Sequence, residues 1–329
     1  MANPSEIADL LGGLKPKEHG QTASASSTVS AAGQPLDQTI AGLVRVLQEH
    51  AGFRATDQQQ RKLQHIFRRS RPSEVRDLVA RIAGNPFSDE LAALVEDLTN
   101  HETYFFRDRP QLDVVSAELL PAIIREKIAQ GERRIRVWSA ACATGEEAYT
   151  LAMLLVQALL DAGIAHESAG GEIWVPPEWT LEVLGTDISR QAVRIAREAS
   201  YQIDGMRSFR QFPVEFLRFF KPPRDAYPVV QRPGELPRYR VVGDALRQFV
   251  RIERANLMDH SPPVRNVDLL LCRNVMIYID QSKQPGIQEM LASALRAGGR
   301  LLMSPVDTLR CKSLFRERWY HRCLVYEKL

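Results

Sequence analysis

Clustered cysteines and long apolar runs are both missing from this 329-residue sequence. The four cysteines form no CxxC pair and no Cys/His cluster with zinc spacing. The longest apolar run, residues 148–160, is too short to cross a bilayer. The N-terminus lacks the basic-then-apolar pattern of a signal peptide. These absences predict a cytoplasmic protein with reduced thiols that is not inserted in a membrane.

An excess of charge of one sign is also missing, because the formal net charge is only +3 at pH 7. This balance gives no reason to expect nucleic acid or a membrane surface as a partner. The sequence also contains no Ser/His/Asp or Cys/His arrangement typical of nucleophilic catalysis. Hydrophobic residues make up 44% of the chain, which suffices for a sizeable core.

The composition and periodicity predict three parts along the chain. Residues 1–35 include the string QTASASST, cannot bury enough apolar surface to become ordered, and are predicted to be a disordered arm. Residues 36–110 show the apolar spacing of amphipathic helices and predict a small all-helical domain. Residues 111–329 alternate strands with helices, which predicts an α/β domain built on a parallel sheet.

Within the α/β part, buried strands are predicted at residues 135–140, 181–187, 267–272 and 299–304. Helices are predicted at residues 112–128, 146–160, 189–199 and 282–296. Prolines break this rhythm near residues 203–254, and the extended pieces 239–242 and 249–252 predict a small antiparallel insertion there. Residues 319–327 alternate and predict a terminal antiparallel strand.

The carboxyl ends of the predicted strands carry the polar residues, and ligands bind at this edge of an open α/β sheet. The first strand leads into AACATGEE at residues 140–147, which lacks the lysine of a P-loop and the glycines of a dinucleotide fingerprint. The second strand ends at Asp187, whose carboxylate suits ribose hydroxyls, although it could instead cap the following helix. The third leads to Asn274 and Tyr278, for which a turn residue and a packing aromatic are the plainer interpretations.

Together with TYFFRD at residues 103–108, these strings resemble the chemotaxis receptor glutamate methyltransferases, the CheR family. The matching strings are TYFFRD, VWSAA at 137–141, TGEE at 144–147, TDI at 186–188, ANL at 255–257 and CRNVMIY at 272–278. Their order and spacing match from about residue 36 onwards. The resemblance implies a Rossmann-like S-adenosylmethionine-dependent methyltransferase sheet with a small β-subdomain insertion, preceded by a small all-helical domain.

The resemblance also implies roles for individual residues. The implied cofactor-binding residues are His101, Thr103, Arg107, Glu147, Asp187, Asn256, Leu257, Arg273 and Asn274. Tyr278 and Arg107 are the implied catalytic residues, which would orient the substrate carboxylate or the cofactor. His101 departs from the pattern, because relatives often carry Asn at that position. No metal site is implied.

The implied reaction transfers a methyl group from S-adenosylmethionine to glutamate side chains of chemoreceptors, the methyl-accepting chemotaxis proteins, and forms methyl esters for sensory adaptation. The implied partner is the cytoplasmic domain of these transmembrane receptors, and the insertion can dock receptor tails in the family. Residues 61–71 carry five positive charges and no acid. Arg61, Arg68 and Arg69 lie near one predicted helix face, which could attract Glu-rich receptor helices or simply be solvated.

Two departures from the family pattern concern the substrate side. Residues 304–307 read SPVD where many relatives show Gly-His-Ser-Glu, and the helical domain is shortened around residues 56–70. Two other functions stay open at this stage. One is a methyltransferase acting on nucleic acid or a small molecule, which the fold alone permits. The other is a non-catalytic module that binds the cofactor and a receptor.

Overall fold

The computed structural model describes residues 36–85, 87–99, 102–168, 172–203, 207–221 and 239–329. The predicted disordered arm and His101 lie outside the described residues. The chain divides into two compact units. The first comprises Met1–Asn100 with Ile277–Gln284, and the second comprises His101–Met276 with Pro285–Leu329.

The described part of the first unit is helical. Its helices are α1 (Leu36–Ala51), α2 (Asp57–Phe67), α3 (Pro72–Gly84) and α4 (Asp89–Leu98). Local sequence explains where two of them begin, because Thr56 forms a capping box with Gln59 and the Ser88 hydroxyl accepts from the Leu91 N–H. Apolar residues at helical spacing, such as Leu43 and Leu47, are fully buried and form the core.

The segment Ile277–Gln284 belongs to this first unit although it follows the third predicted strand in sequence. Ile279 forms an isolated antiparallel bridge with Phe53. The carbonyl of Tyr278 accepts a hydrogen bond of 2.7 Å from the Arg54 N–H. These backbone contacts hold the segment against the connection between α1 and α2.

The second unit is built on a seven-stranded sheet in the order β11-β12-β10-β9-β1-β4-β8. These strands are β1 (Arg134–Ala140), β4 (Thr180–Asp187), β8 (Val250–Arg254), β9 (Val267–Cys272), β10 (Leu295–Met303), β11 (Phe315–Tyr320) and β12 (Cys323–Lys328). β1 pairs in parallel with β4 and β9, and β8 and β10 extend the parallel arrangement on either side. The predicted fold class, a Rossmann-like α/β sheet, is confirmed.

Helices connect the parallel strands. α5 (Arg109–Val114), a π-helical turn (Val115–Leu119) and α6 (Leu120–Ala129) precede β1. The other helices are α7 (Glu146–Asp161), α8 (Arg190–Glu198), the short α9 (Asp244–Arg247) and α10 (Gln284–Ala294). α7 is buried along most of its length, which agrees with the nearly continuous apolar sequence that marks it.

The predicted insertion contains a three-stranded antiparallel sheet in the order β5-β7-β6. Its strands are β5 (Ser200–Gln202), β6 (Phe220–Lys221) and β7 (Tyr239–Val242). We use "the insertion" for this sheet together with the described residues 207–219. A separate two-stranded hairpin joins β2 (His166–Glu167) to β3 (Ile173–Trp174).

Two strand predictions were wrong in their pairing or extent. Residues 249–252 were assigned to the antiparallel insertion, but β8 pairs in parallel with β4 at the edge of the main sheet, with Val183 opposite Val250. Alternating polar and apolar side chains indicate a strand with two different faces, but they do not indicate which strand it pairs with. The terminal strand predicted at 319–327 is instead a hairpin of β11 and β12, split by a turn where His321 adopts a φ of 53°.

Among the described residues, no helix is long and apolar enough to span a membrane. No group of three or more His, Cys, Asp or Glu side chains within the described ranges could hold a metal ion.

Candidate active site

The loop after β1, residues 141–145 (the β1 loop), is tightly wound. Ala141, Ala143 and Gly145 have φ values of 63°, 48° and 95°. A Cβ atom on Gly145 would lie 2.7 Å from the Ala196 Cβ and 3.0 Å from the Tyr201 hydroxyl, so glycine is required there. Small side chains in the rest of the loop let its backbone approach a ligand closely.

Asp187 ends β4 next to this loop and is 6% exposed. Its Oδ2 accepts a hydrogen bond of 2.8 Å from the Ala143 N–H, and its Oδ1 accepts one of 2.9 Å from the Ser189 N–H. Ser189, rather than Asp187, caps α8 with its own hydroxyl, which accepts from the Ala192 N–H. Asp187 therefore holds the β1 loop in place, and its acceptor oxygens suit ribose hydroxyls.

Glu147 and Arg273 form a buried ion pair at the ends of α7 and β9. The Arg273 Nε lies 2.7 Å from the Glu147 Oε2, and their side chains are 1% and 13% exposed. The Ser139 hydroxyl donates to the other Glu147 oxygen at 2.6 Å. Because both carboxylate oxygens are engaged, the orientation of Glu147 is set by strand β1 and by Arg273.

The rest of the Arg273 guanidinium anchors the segment that carries TYFFRD. Its Nη1 and Nη2 each donate to the Arg107 carbonyl at 3.0 Å, and Nη1 also donates to the Gln111 Oε1 at 3.2 Å. The segment turns sharply here, since Phe106 and Asp108 have φ values of 59° and 58°. Arg273 thus fixes the position of Arg107, while the Arg107 side chain donates to the Glu102 carbonyl.

The ends of β8 and β9 supply two amides. Asn256 is buried, and its Oδ1 accepts a hydrogen bond of 3.0 Å from the Met258 N–H. The Ala255 N–H donates to the Asp187 carbonyl at 3.0 Å, which brings the segment containing Asn256 beside β4. Asn274 adopts a φ of 57° after β9 and donates to the Ser304 hydroxyl at 3.4 Å. Both amides therefore lie at the carboxyl edge of the sheet.

The structure brings one group of the predicted site residues together at this edge. The group consists of Arg107, Glu147, Asp187, Asn256, Leu257, Arg273 and Asn274, with Thr103 half-buried in the same unit. Tyr278, Arg61, Arg68 and Arg69 belong to the first unit. The cofactor contacts and catalytic roles assigned to all these residues stay predictions.

Sequence reasoning did not single out four residues that shape this site. Ser139 and Glu146 lie within strings that were recognised, but their partners were not foreseen. Gln111 accepts a hydrogen bond from Arg273 and donates one of 2.7 Å to the Met303 carbonyl. It lies at the edge of a predicted helix, where no sequence pattern distinguishes it from other polar helical residues. Tyr201, whose hydroxyl donates to the Thr144 carbonyl at 2.8 Å, lies where the alternation of strands and helices breaks, and no strand was predicted there.

Burial keeps the thiols near the site protonated. It raises the pKa of Cys142, and likewise that of Cys272, well above the usual thiol range, and neighbouring carboxylates add to both shifts. A protonated thiol is a poor nucleophile. These two residues are therefore packing groups and do not supply an attacking sulfur.

The polar groups at the sheet edge fit S-adenosylmethionine. Carboxylates at Asp187 and Glu147 suit hydroxyl and ammonium donors, and the amides of Asn256 and Asn274 can both donate and accept. The small side chains of the β1 loop leave its backbone N–H and carbonyl groups accessible to a ligand. Fold and site together define an S-adenosylmethionine-dependent methyltransferase.

A family model described as CheR methyltransferase, SAM binding domain, matches residues 101–318. The chain belongs to this CheR methyltransferase family, and its cofactor is S-adenosylmethionine. The resemblance stated from the sequence strings is confirmed.

Several similar proteins are also named as methyltransferases. The chain is 27% identical over 223 residues to a chemotaxis protein methyltransferase of Borreliella burgdorferi, covering 67% of this chain and 69% of that one. It is 28% identical over 244 residues to chemotaxis protein methyltransferase 2 of Vibrio cholerae, covering 73% and 74%. It is 30% identical over 230 residues to the probable biofilm formation methyltransferase WspC of Pseudomonas aeruginosa, covering 69% of this chain and 46% of the relative.

Solved structures that resemble the chain include a TehB-like SAM-dependent methyltransferase from Corynebacterium glutamicum. The identity is 11% and the TM-score 0.31, over 68% of this chain and 94% of the other. A DhpI-SAH complex has 12% identity and a TM-score of 0.28, over 67% and 72%.

Proposed function

We propose that this protein methylates glutamate side chains in the cytoplasmic domain of chemoreceptors and forms methyl esters. The family and the chemotaxis names of several relatives support this substrate class. The observation that carries the proposal is the arrangement around Asp187, where hydrogen bonds join the β1 loop and the segment after β8 to the end of β4. A cytoplasmic location follows from the position of the proposed substrate.

Methyl transfer to a carboxylate requires the protein mainly to align the two reactants. S-adenosylmethionine supplies an electrophilic methyl group on a sulfonium. A glutamate side chain has an ordinary pKa of about 4.3, so its carboxylate is already a nucleophile at neutral pH. No general base is needed, and the site has to align the carboxylate oxygen with the methyl group and exclude water.

In this proposal each residue at the sheet edge has a binding or orienting task. Asp187 holds the ribose, and Asn256 and Leu257 flank the adenine. Glu147 meets the ammonium end of the cofactor, with Arg273 and Asn274 closing the pocket. The methionine end is bound by His101, Thr103 and Arg107, and Tyr278 and Arg107 orient the reacting carboxylate.

Receptor recognition is assigned to the basic residues of α2 and of the turn that follows it. Arg61 lies on α2, whereas α2 ends at Phe67, so Arg68 is its C-cap and Arg69 lies in the next turn rather than on the predicted helix face. All three side chains are exposed. None of the carboxylates in the described part of the chain forms an ion pair with these three guanidinium groups. Their charge is therefore available to acidic helices, which is the chemistry of a receptor methylation region rich in Glu.

The test of this function uses radiolabelled S-adenosylmethionine with membranes that hold candidate chemoreceptors. We expect label in the receptor that is released as methanol by mild base, since esters are hydrolysed and methylated amines or nucleobases are not. Replacement of the acceptor glutamates by Gln should remove the label. The Asp187→Asn variant should bind the cofactor at least about ten-fold more weakly, because an amide cannot accept both backbone hydrogen bonds. Base-stable label, or label in nucleic acid, would exclude carboxyl methylation.

The insertion is the proposed docking site for a receptor tail. The comparison that checks this uses receptors with and without their C-terminal tails as substrates. Slower methylation of the shortened receptor at low receptor concentration is expected, because tethering raises the effective concentration of the methylation region. Equal methylation rates would exclude docking of the tail at the insertion but would not contradict methylation of receptor glutamates.

A further inference from the structure

The insertion is hydrogen-bonded to the β1 loop. Tyr201 of β5 is 3% exposed, and its hydroxyl donates to the Thr144 carbonyl at 2.8 Å. The same hydroxyl lies where a Cβ atom on Gly145 would meet it at 3.0 Å. The insertion therefore contacts the loop along its backbone and limits how far the loop can move in that direction.

A second connection runs through the carboxylate of Glu146, the first residue of α7. The Ser208 hydroxyl of the insertion donates to the Glu146 Oε1 at 2.7 Å, and the Thr144 hydroxyl donates to Oε2 at 2.6 Å. Glu146 is 2% exposed, and burial raises the pKa of its carboxyl. A buried carboxylate with a hydroxyl on each oxygen links the insertion to the loop.

The insertion itself is held firmly in the second unit. The ring of Phe105 lies at the centre of an aromatic cluster, with centroid distances of 4.9 Å to Tyr201 and 5.2 Å to both Phe209 and Phe220. The Phe105 N–H donates to the Ser208 carbonyl at 2.9 Å. Packing against Phe105 thus fixes the ring of Tyr201, and the hydrogen bond from Phe105 fixes the backbone of Ser208.

The same loop is also hydrogen-bonded to Asp187, the proposed ribose-binding residue. Ala143, the residue before Thr144, donates to Asp187 at 2.8 Å. Any shift of Thr144 or Gly145 must therefore move the N–H group that orients Asp187. The insertion and Asp187 therefore both hold the β1 loop through hydrogen bonds.

We propose that Tyr201, Ser208 and Glu146 are positioning residues for S-adenosylmethionine, so that the insertion is part of the cofactor-binding machinery. This goes beyond the proposed function, since it depends on the cofactor and not on which protein is methylated. The three side chains act through the β1 loop and Asp187. Losing one of them lets the loop adopt conformations that bind the cofactor less well, and each lost hydrogen bond is expected to weaken binding about three- to ten-fold.

The experiment measures binding of S-adenosylhomocysteine to the full chain by calorimetry. Tyr201→Phe and Ser208→Ala each remove one hydroxyl, and both should raise the Kd. Glu146→Gln should bind better than Glu146→Ala, because the amide can still bond to both hydroxyls. The matched control is Tyr149→Phe, since the Tyr149 hydroxyl is also buried in this core but donates to the Ala196 carbonyl at 2.9 Å.

Kinetics separate positioning from general damage. We expect a raised KM for S-adenosylmethionine in the Tyr201 and Ser208 variants, with kcat at saturating cofactor and the receptor KM unchanged. Wild-type Kd values in both variants would overturn the proposal, as would an equal loss in Tyr149→Phe. Ser208 is only half-buried, so its variant is expected to fold even if the Tyr201 variant does not. The calorimetric result stands whatever protein is methylated, so its failure is distinct from failure of the proposed function.

Discussion

Single residues in this protein show how local environment sets the chemistry of a carboxyl group. Asp187 and Glu147 each receive hydrogen bonds from donors on separate elements, which fix the orientation of both carboxylates. Asp307, in the SPVD string after β10, is different. Its Oδ2 is buried and has no hydrogen-bond partner among the residues that the structure describes, and burial raises the pKa of this carboxyl from 3.8 to about 6.

Asp307→Asn is therefore predicted to stabilise the protein at neutral pH. The folded protein holds the Asp307 proton more tightly than the unfolded chain, so the favourable contribution of that proton is lost as pH rises through about 6. The variant cannot ionise. Its advantage in urea midpoint should be greatest above about pH 6 and should vanish below about pH 4, where Asp307 is protonated in both states.

The control for this prediction is Asp244→Asn, because the Asp244 side chain is 79% exposed. It should show little change in urea midpoint at any pH. A midpoint difference for Asp307→Asn that stayed constant from about pH 4 to about pH 8 would show that its ionisation does not contribute to stability.

At the scale of elements, a buried charge network joins α6 to the ends of β9 and β10. The Asp268 carboxylate of β9 lies 3.0 Å from the Lys127 Nζ and 2.6 Å from the Arg296 Nε, and it accepts from the Arg136 N–H at 2.9 Å. Asp268 is 1% exposed. One carboxylate thus compensates cations from two other elements at the edge of the sheet opposite the candidate site.

Asp268→Asn is predicted to lower the free energy of unfolding by about 3 kcal/mol, because it removes the buried counter-charge that Lys127 and Arg296 share. Each cation then keeps only a more exposed carboxylate partner, Glu132 for Lys127 and Glu126 for Arg296. Urea denaturation measures this. The affinity for S-adenosylhomocysteine should be unchanged, since the network lies at the amino end of β9. The exposed pair of Arg194 and Glu198 on α8 provides the control, where Glu198→Gln should cost less than about 1 kcal/mol. A similar small cost for Asp268→Asn would contradict the prediction.

At the scale of the whole molecule, charge is distributed unevenly even though the net value is +3. The exposed arginines of α2 and of the turn after it belong to one unit, while the carboxylates of the candidate site belong to the other. In the proposed function, an acidic partner would be attracted to these arginines by their local field rather than by the total charge. Such an attraction is sensitive to ionic strength.

Reversing Arg68 and Arg69 together to Glu is predicted to raise the receptor KM about ten-fold or more at low salt and to flatten its dependence on salt. The KM for S-adenosylmethionine should stay the same. Methylation rates measured across a salt series test this. Arg125→Glu is the matched control, because Arg125 is an exposed arginine on another helix, α6. An unchanged receptor KM in the double variant would show that Arg68 and Arg69 do not contribute to receptor binding.

The extent of what could be predicted differs between the fold and the site. Strand β9 begins and ends at the predicted residues, and helix α7 begins at Glu146 as expected, because apolar periodicity is a property of neighbouring residues. The π-helical turn before α6 was not predicted, since nothing in the spacing of residues 112–128 marks it. The site strings were recognised as a set, but the bonds within them were not.

Local sequence patterns predicted the succession of strands and helices, the small residues of the β1 loop and the acid at the end of β4, because these features depend on residues close together in the chain. The position of β8 in the main sheet, the pairing of Arg273 with Glu147 and the hydrogen bond from Tyr201 to Thr144 became known only from the three-dimensional structure. Each of these contacts joins residues dozens of positions apart. Such partners are selected by packing and burial of the whole chain, which local patterns do not encode.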